Sequence, residues 1–167
     1  CDSYGIIRDI DMEIISLILG LIAGSFVNAW IWRSRAGESV LAGRSHCTKC
    51  KRILGWYELI PVLSFSLQLG KCRGCKKPID WQYPLVELIT ALGLVAVARF
   101  FSYDLWLTVG ASTVFVSLLV VFLADIKYYL IPDSMVLAVI AGTFPLLRMP
   151  ESLLPHALSA VLTAFGF

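Results

Sequence analysis

LWLTVGASTVFVSLLVVFLAD, residues 105–125, runs from Leu105 to Ala124 without a charge and then meets Asp125. Twenty helical residues at about 1.5 Å each reach about 30 Å, the thickness of a bilayer's hydrocarbon core. The solvent for this segment is therefore lipid. Lipid offers the backbone no hydrogen bonds, so a continuous apolar run of this length must be a helix, which satisfies its own peptide groups.

Working outward, Ile14–Trp32 is a second charge-free run of nearly the same length. Acids precede it (Asp9, Asp11, Glu13) and no small-residue cleavage site follows, which argues for a span over a signal peptide. Residues 84–101 make another span, with Glu87 and Arg99 near its two ends, where side chains can reach the interface. Beyond Asp125, residues 131–147 form a short fourth span opened by Pro132, and Ser152 to Phe167 begin a fifth. With 58% hydrophobic and 16% charged residues, against about 25% charged in a soluble domain, the expectation is an all-α polytopic membrane protein of about five transmembrane helices. The start at Cys1 and the stop inside an apolar run lead us to expect a piece of something longer.

One long stretch is hydrophilic, and it carries Cys47, Cys50, Cys72 and Cys75 as two C-x-x-C pairs with Lys51 to Lys71 between them. Each short turn places two sulfurs on one side of a tetrahedral ion, which is the spacing of a four-cysteine zinc site. Disulfides are the competing explanation and need an oxidising compartment. Ten of the 14 Lys and Arg residues fall between Arg33 and Lys77, and by the positive-inside rule that loop is cytoplasmic and reducing. Zinc is therefore preferred, in a small ribbon between the first two spans. An internal repeat supports it: Cys47, Cys50, Lys51, Arg52 and Trp56 recur at the same spacing as Cys72, Cys75, Lys76, Lys77 and Trp81. The basic loop suits anionic lipid headgroups better than nucleic acid, since no aromatic RNA-binding motif accompanies it. The chain divides at this level into residues 1–83, the first span with its four-cysteine loop, and residues 84–167, the remaining spans.

Several polar residues lie at membrane depth. Asp125 ends its span at the dielectric boundary, where a carboxylate's pKa is readily raised; the plainer reading is an interface marker paired with Lys127. Gly20 and Gly24 form a G-x-x-x-G close-packing signal, and Asn28, one helical turn on, needs a partner for its amide, on another helix or in a polar site. Glu87 is an interfacial anchor or a partner of Asn28 or of a cation. His156 reads as a packed residue near the outer leaflet, and the aromatics around Trp30, Trp32, Trp56 and Tyr57 as an interface belt.

In order, GSFVNAWIWR (24–33), RSHCTKC (44–50), LIPVLS (59–64), GKCRGC (70–75), YPLVE (83–87) and the segment from Asp125 to Asp133 resemble the type IV prepilin peptidases, over nearly the whole chain from Met12 onward. The resemblance implies an inner-membrane aspartic endopeptidase that cleaves the leader of type IV prepilins and pseudopilins, then methylates the new N-terminus using S-adenosylmethionine. It makes Asp125 the first catalytic aspartate and associates the cysteine loop with methylation. The family's second aspartate lies in a G-x-G-D motif after the fifth span, and no such motif occurs up to Phe167. Peptide cleavage by this chemistry needs two carboxylates sharing a proton, so the chain as given is expected to be inactive as a peptidase. Two alternatives stay open: a methyltransferase-type protein, or a structural membrane zinc ribbon.

Overall fold

The structure, a computed structural model, describes residues 3–39, 43–101, 104–129 and 132–148. It is mostly helical: α1 (Ser3–Ala36), a 3-10 turn (Trp56–Glu58), α2 (Leu63–Leu67), α3 (Gln82–Phe100), α4 (Leu105–Tyr128), α5 (Asp133–Thr143) and a second 3-10 turn (Pro145–Arg148). Among the described residues there are no strands, and the four-cysteine loop joins α1 to α3. Three helices are long and apolar enough to cross a membrane: Asp11–Ala36 within α1, then α3 and α4. The expected fifth span, with His156, lies outside the described residues.

The paired helices α1 and α3 run antiparallel, and their register is set by glycine. A Cβ on Gly20 would lie 2.5 Å from the Ala91 Cα, and one on Gly24 would lie 2.6 Å from the Glu87 Cα. Only a missing side chain allows backbones this close, as the G-x-x-x-G signal implied. Thr90 and Ala91 are completely buried in the contact. The same register continues toward the start of α1 to a Glu13–Arg99 ion pair at 2.9 Å and toward its end to Asn28 beside Tyr83.

Asp104 starts α4 by accepting the Trp106 and Leu107 amides at 2.8 and 3.1 Å, two donors that a helix start otherwise leaves unmade. The helix does not stop at Ala124 but carries Asp125 inside its last turn; Tyr129, at φ 52°, ends it and donates its N–H to the Asp125 carbonyl. The apolar segment expected over 131–147 is divided, because Pro145 follows the last turn of α5 and has no N–H with which to continue it. The 11 residues of α5 reach only about 16 Å, and the 3-10 turn extends them. α5 folds back antiparallel on α4, with Gly142 against Gly110: a Cβ on Gly110 would come within 2.7 Å of the Gly142 carbonyl. Val27, Ile31, Val86 and Val120 form the buried centre where α1, α3 and α4 meet. Large apolar side chains such as Ile22, Leu92 and Leu137 point outward, as lipid-facing surfaces require.

Candidate metal centre and adjoining cavity

The sequence repeat is a repeat of backbone geometry. In the first knuckle Cys47 donates its N–H to the Arg52 carbonyl (2.9 Å), Lys51 to Cys47 (2.9 Å) and Leu54 to Ser45 (2.8 Å). In the second, Cys72 donates to Lys77 (3.0 Å), Lys76 to Cys72 (2.9 Å) and Ile79 to Gly70 (2.7 Å), each pair at the equivalent position of the repeat. Lys51 and Lys76 close the two turns in the left-handed region, at φ 59° and 57°. An isolated bridge flanks each turn, His46 with Ile53 and Lys71 with Pro78.

The turns face each other, and the four Sγ atoms of Cys47, Cys50, Cys72 and Cys75 all lie within 4.8 Å of one another. A tetrahedron with zinc–sulfur bonds of about 2.3 Å has edges of about 3.8 Å, so the sulfurs need only a small inward movement to hold the ion. Cys72 is buried, and the Cys75 amide, helped by that of Gly74, draws its thiol down to about 6 despite burial. It is therefore a thiolate at neutral pH, the form that binds metal. The four residues fit zinc.

Arg52 and Glu58 break the repeat. Their counterparts in the second half are Lys77 and Tyr83, which cannot form the same pair. Arg52 Nη2 donates to Glu58 Oε1 at 2.5 Å and the Gly55 amide donates to Oε2 at 2.9 Å. Burial raises the Glu58 carboxyl, but these two donors outweigh it and hold it below the ordinary carboxylate range. Arg52 reaches across to the second knuckle: a Cβ on Gly74 would come within 3.0 Å of its Nε, which is buried and has no hydrogen-bond partner among the described residues.

Between the ribbon and the adjacent ends of α1, α3 and α4 lies a cavity of about 570 Å³. Asn28 is on its wall, donating to the Tyr83 carbonyl (3.1 Å) and accepting from Gln82 Nε2 (3.3 Å), so it is both a helix contact and part of a polar site. Glu87 behaves differently from either expectation. It is buried, and its Oε2 accepts the Val62 amide at 2.7 Å. Val62 lies at φ 59°, ψ −47°, and the Leu63 amide donates to the Pro61 carbonyl across it, a γ-turn of the strained hand on a β-branched residue. Asp125 is exposed on α4 and is not among the cavity's lining residues. Lys127, its expected partner, instead approaches Asp80 of the loop at 3.9 Å. His46, to which sequence reasoning gave no role, stacks edge-on against Trp32 at 5.0 Å.

These features define a membrane-spanning helical protein with a four-cysteine loop between its first two spans. The model of the bacterial Peptidase A24 N-terminal domain matches residues 18–101, half of the chain, and the protein belongs to that family. Among its relatives is a prepilin leader peptidase/N-methyltransferase of Myxococcus xanthus, 42% identical over 134 residues that cover 77% of this chain and 39% of the relative. Another of the same name, from Bacillus subtilis, is 40% identical over 74% of this chain and 49% of its own. A type 4 prepilin-like proteins leader peptide-processing enzyme of Escherichia coli is 36% identical over 50% of this chain and 38% of its own. The chain thus spans about half or less of the length of these curated relatives. No solved structure matches it.

Proposed function

We propose that this chain belongs to a membrane aspartic endopeptidase that cleaves the leader of type IV prepilins and pseudopilins and N-methylates the new N-terminus. The observation that carries this reading is the convergence of Cys47, Cys50, Cys72 and Cys75 beside a cavity that Asn28, Gln82 and Glu87 help to line, within a segment that matches the family. On this reading the enzyme lies in the inner membrane with the ribbon on the cytoplasmic side. Zinc, when bound, fixes the two knuckles as one wall of the cavity. S-adenosylmethionine supplies the methyl group, and Asn28, Gln82 and Glu87 line the space that receives the reactants.

Asp125 supplies one of the two carboxylates that cleavage requires, one to activate water and the other to protonate the leaving group. With no G-x-G-D motif before Phe167, the chain by itself lacks the pair and does not cleave. A second reading, methyl transfer or a structural ribbon without proteolysis, draws on the separation of Asp125 from the cavity.

The two are separated by presenting the purified chain, in lipid nanodiscs with S-adenosylmethionine, with a prepilin peptide and with the same peptide already freed of its leader. Mass spectrometry reads both products. We expect methylation of the leaderless peptide and no cleavage of the precursor. Cleavage by the chain as it stands would refute the two-aspartate argument, and absence of methylation would refute the role given to the ribbon and cavity.

A further inference from the structure

The loop between α1 and α3 is not hydrophilic throughout. LIPVLSFSLQL, residues 59–69, carries no charge, and the nearest charges along the chain are Glu58 and Lys71. Its apolar side chains are not packed away: Leu59, Ile60, Leu63, Leu67 and Leu69 are all exposed, Leu67 by 69% and Leu69 by 85%. A patch of this kind marks a surface that something apolar covers. Its depth is fixed by a bond already described. The Val62 amide meets Glu87 Oε2 at 2.7 Å, so Val62 stands at the level of Glu87 on α3. From Glu87 to Arg99, α3 rises about 18 Å, and from Gly24, packed on the Glu87 Cα, to Arg33, α1 rises about 13 Å. Arg99, paired with Glu13, and Arg33 are the charges that bound the two apolar runs, and the two rises together make about 30 Å, the thickness of a hydrocarbon core. Val62 therefore lies well inside the hydrocarbon boundary on the ribbon side.

From Val62 the chain climbs back through α2, where Phe65 stacks on Trp81 at 4.9 Å, beside the start of α3. α2 has two unlike faces. Ser64 and Gln68, one turn apart, line the cavity with Phe65, whereas Leu63 and Leu67, also one turn apart, do not line it and are exposed. Polar within and apolar without is the reverse of a helix in water and the arrangement of one against lipid. Lipid offers a backbone no partners, and this segment supplies its own. Ser64 donates its N–H to the Ile60 carbonyl (3.0 Å), Ser66 to Val62 (3.1 Å), Gln68 to Ser64 (3.0 Å) and Gly70 to Phe65 (3.0 Å). Pro61 has no N–H to satisfy, Glu87 takes that of Val62, and Ser66 Oγ returns to the Val62 carbonyl at 3.0 Å.

We propose that residues 59–69 form a re-entrant wedge whose leucines face the acyl chains of the surrounding phospholipid. The partner of this surface is the bilayer in which α1 and α3 stand. α2 is then the partition between the cavity and lipid, with Ser64 and Gln68 on one side of it and Leu63 and Leu67 on the other.

The test is photolabelling of the wild-type protein in nanodiscs whose phospholipid carries a diazirine, either within the acyl chain or on the headgroup, with adducts located by mass spectrometry. We expect the acyl-chain probe to mark Leu63 or Leu67 as it marks Leu92, an exposed leucine in mid-α3, and at least about tenfold more than it marks the exposed Lys51 and Lys76 of the knuckle turns. Acyl-chain adducts at Leu92 with none above the lysine level in residues 59–69 overturn the wedge. The headgroup probe then gives the reason: labelling from it puts the segment on the membrane surface, and none from either probe means that water or a second protein copy covers it. A second measurement uses Leu63→Trp, read as the gain in tryptophan emission over wild type. The added emission should be quenched by phospholipid brominated on its acyl chains and not by acrylamide in the water. Quenching by acrylamide alone overturns the wedge.

Discussion

Adding one methyl group at Gly24 should separate two membrane helices. A Cβ there would lie 2.6 Å from the Glu87 Cα and 3.1 Å from both the Thr90 Oγ1 and the Val86 carbonyl. Carbon atoms rest about 3.5–4.0 Å apart, so α1 and α3 must part by about 1 Å at this level, because a Cα cannot rotate away as a side chain can. The Asn28–Tyr83 hydrogen bond, one turn along at 3.1 Å, would be carried out of range by the same movement. Overpacking costs about 1–3 kcal/mol and the lost bond about 1 kcal/mol, so Gly24→Ala should destabilise by about 2–4 kcal/mol. Gly37→Ala is the control: its Cβ would meet nothing within 4 Å, and at φ 68° the change carries only backbone strain, about 1–2 kcal/mol. Both variants are to be unfolded reversibly in mixed detergent, followed by helical circular dichroism. A Gly24→Ala cost no greater than that of Gly37→Ala would show that the two backbones do not touch.

Three further outcomes are expected. Purified wild type should carry zinc, measured by elemental analysis, and Cys72→Ser should lose it; a wild type without zinc, or unchanged metal in the variant, would remove the ribbon from the account. The Cys72 thiol lies at about 6 when folded against about 9 ordinarily, so its thiolate stabilises the fold fully above pH 9 and not at all below pH 6. Zinc and protons compete for the same thiolate, so zinc should be released to a fluorescent chelator only once the pH falls below about 6, and a release midpoint above neutrality would contradict the assignment. Glu58→Gln, which leaves Arg52 without its carboxylate, should speed hydrogen exchange at the Gly55 amide by on the order of tenfold while the four cysteines keep their metal. Unaltered exchange there would mean that the pair does not hold the loop.

The membrane helices and the cysteine cluster were readable because each depends on a local pattern. Apolar length alone marks α4, and Gly20 with Gly24 already announces a close helix contact. The spacing of Cys47, Cys50, Cys72 and Cys75 and the repeat around them prescribe two facing turns. The bond from Val62 to Glu87 was not readable, because it needs a β-branched residue at positive φ, a conformation that any propensity argument rejects. Nor was the diversion of Lys127 from Asp125 to Asp80, since sequence neighbours two apart on a helix do not face each other and the true partner comes from the loop. Pro145 was visible in the sequence, but length and hydropathy alone placed one span over the segment it divides.

The direct packing of α1 on α3 has a consequence for failure. The loop between them is closed at its base by helix contact and not by metal, so its two ends stay neighbours whether or not zinc is bound. Stripping the ion should therefore melt the knuckles as a single unit while the bilayer-embedded pair survives. The protein contains a fuse: damage to its aqueous part is confined there, and remetallation can rebuild it on an anchored frame.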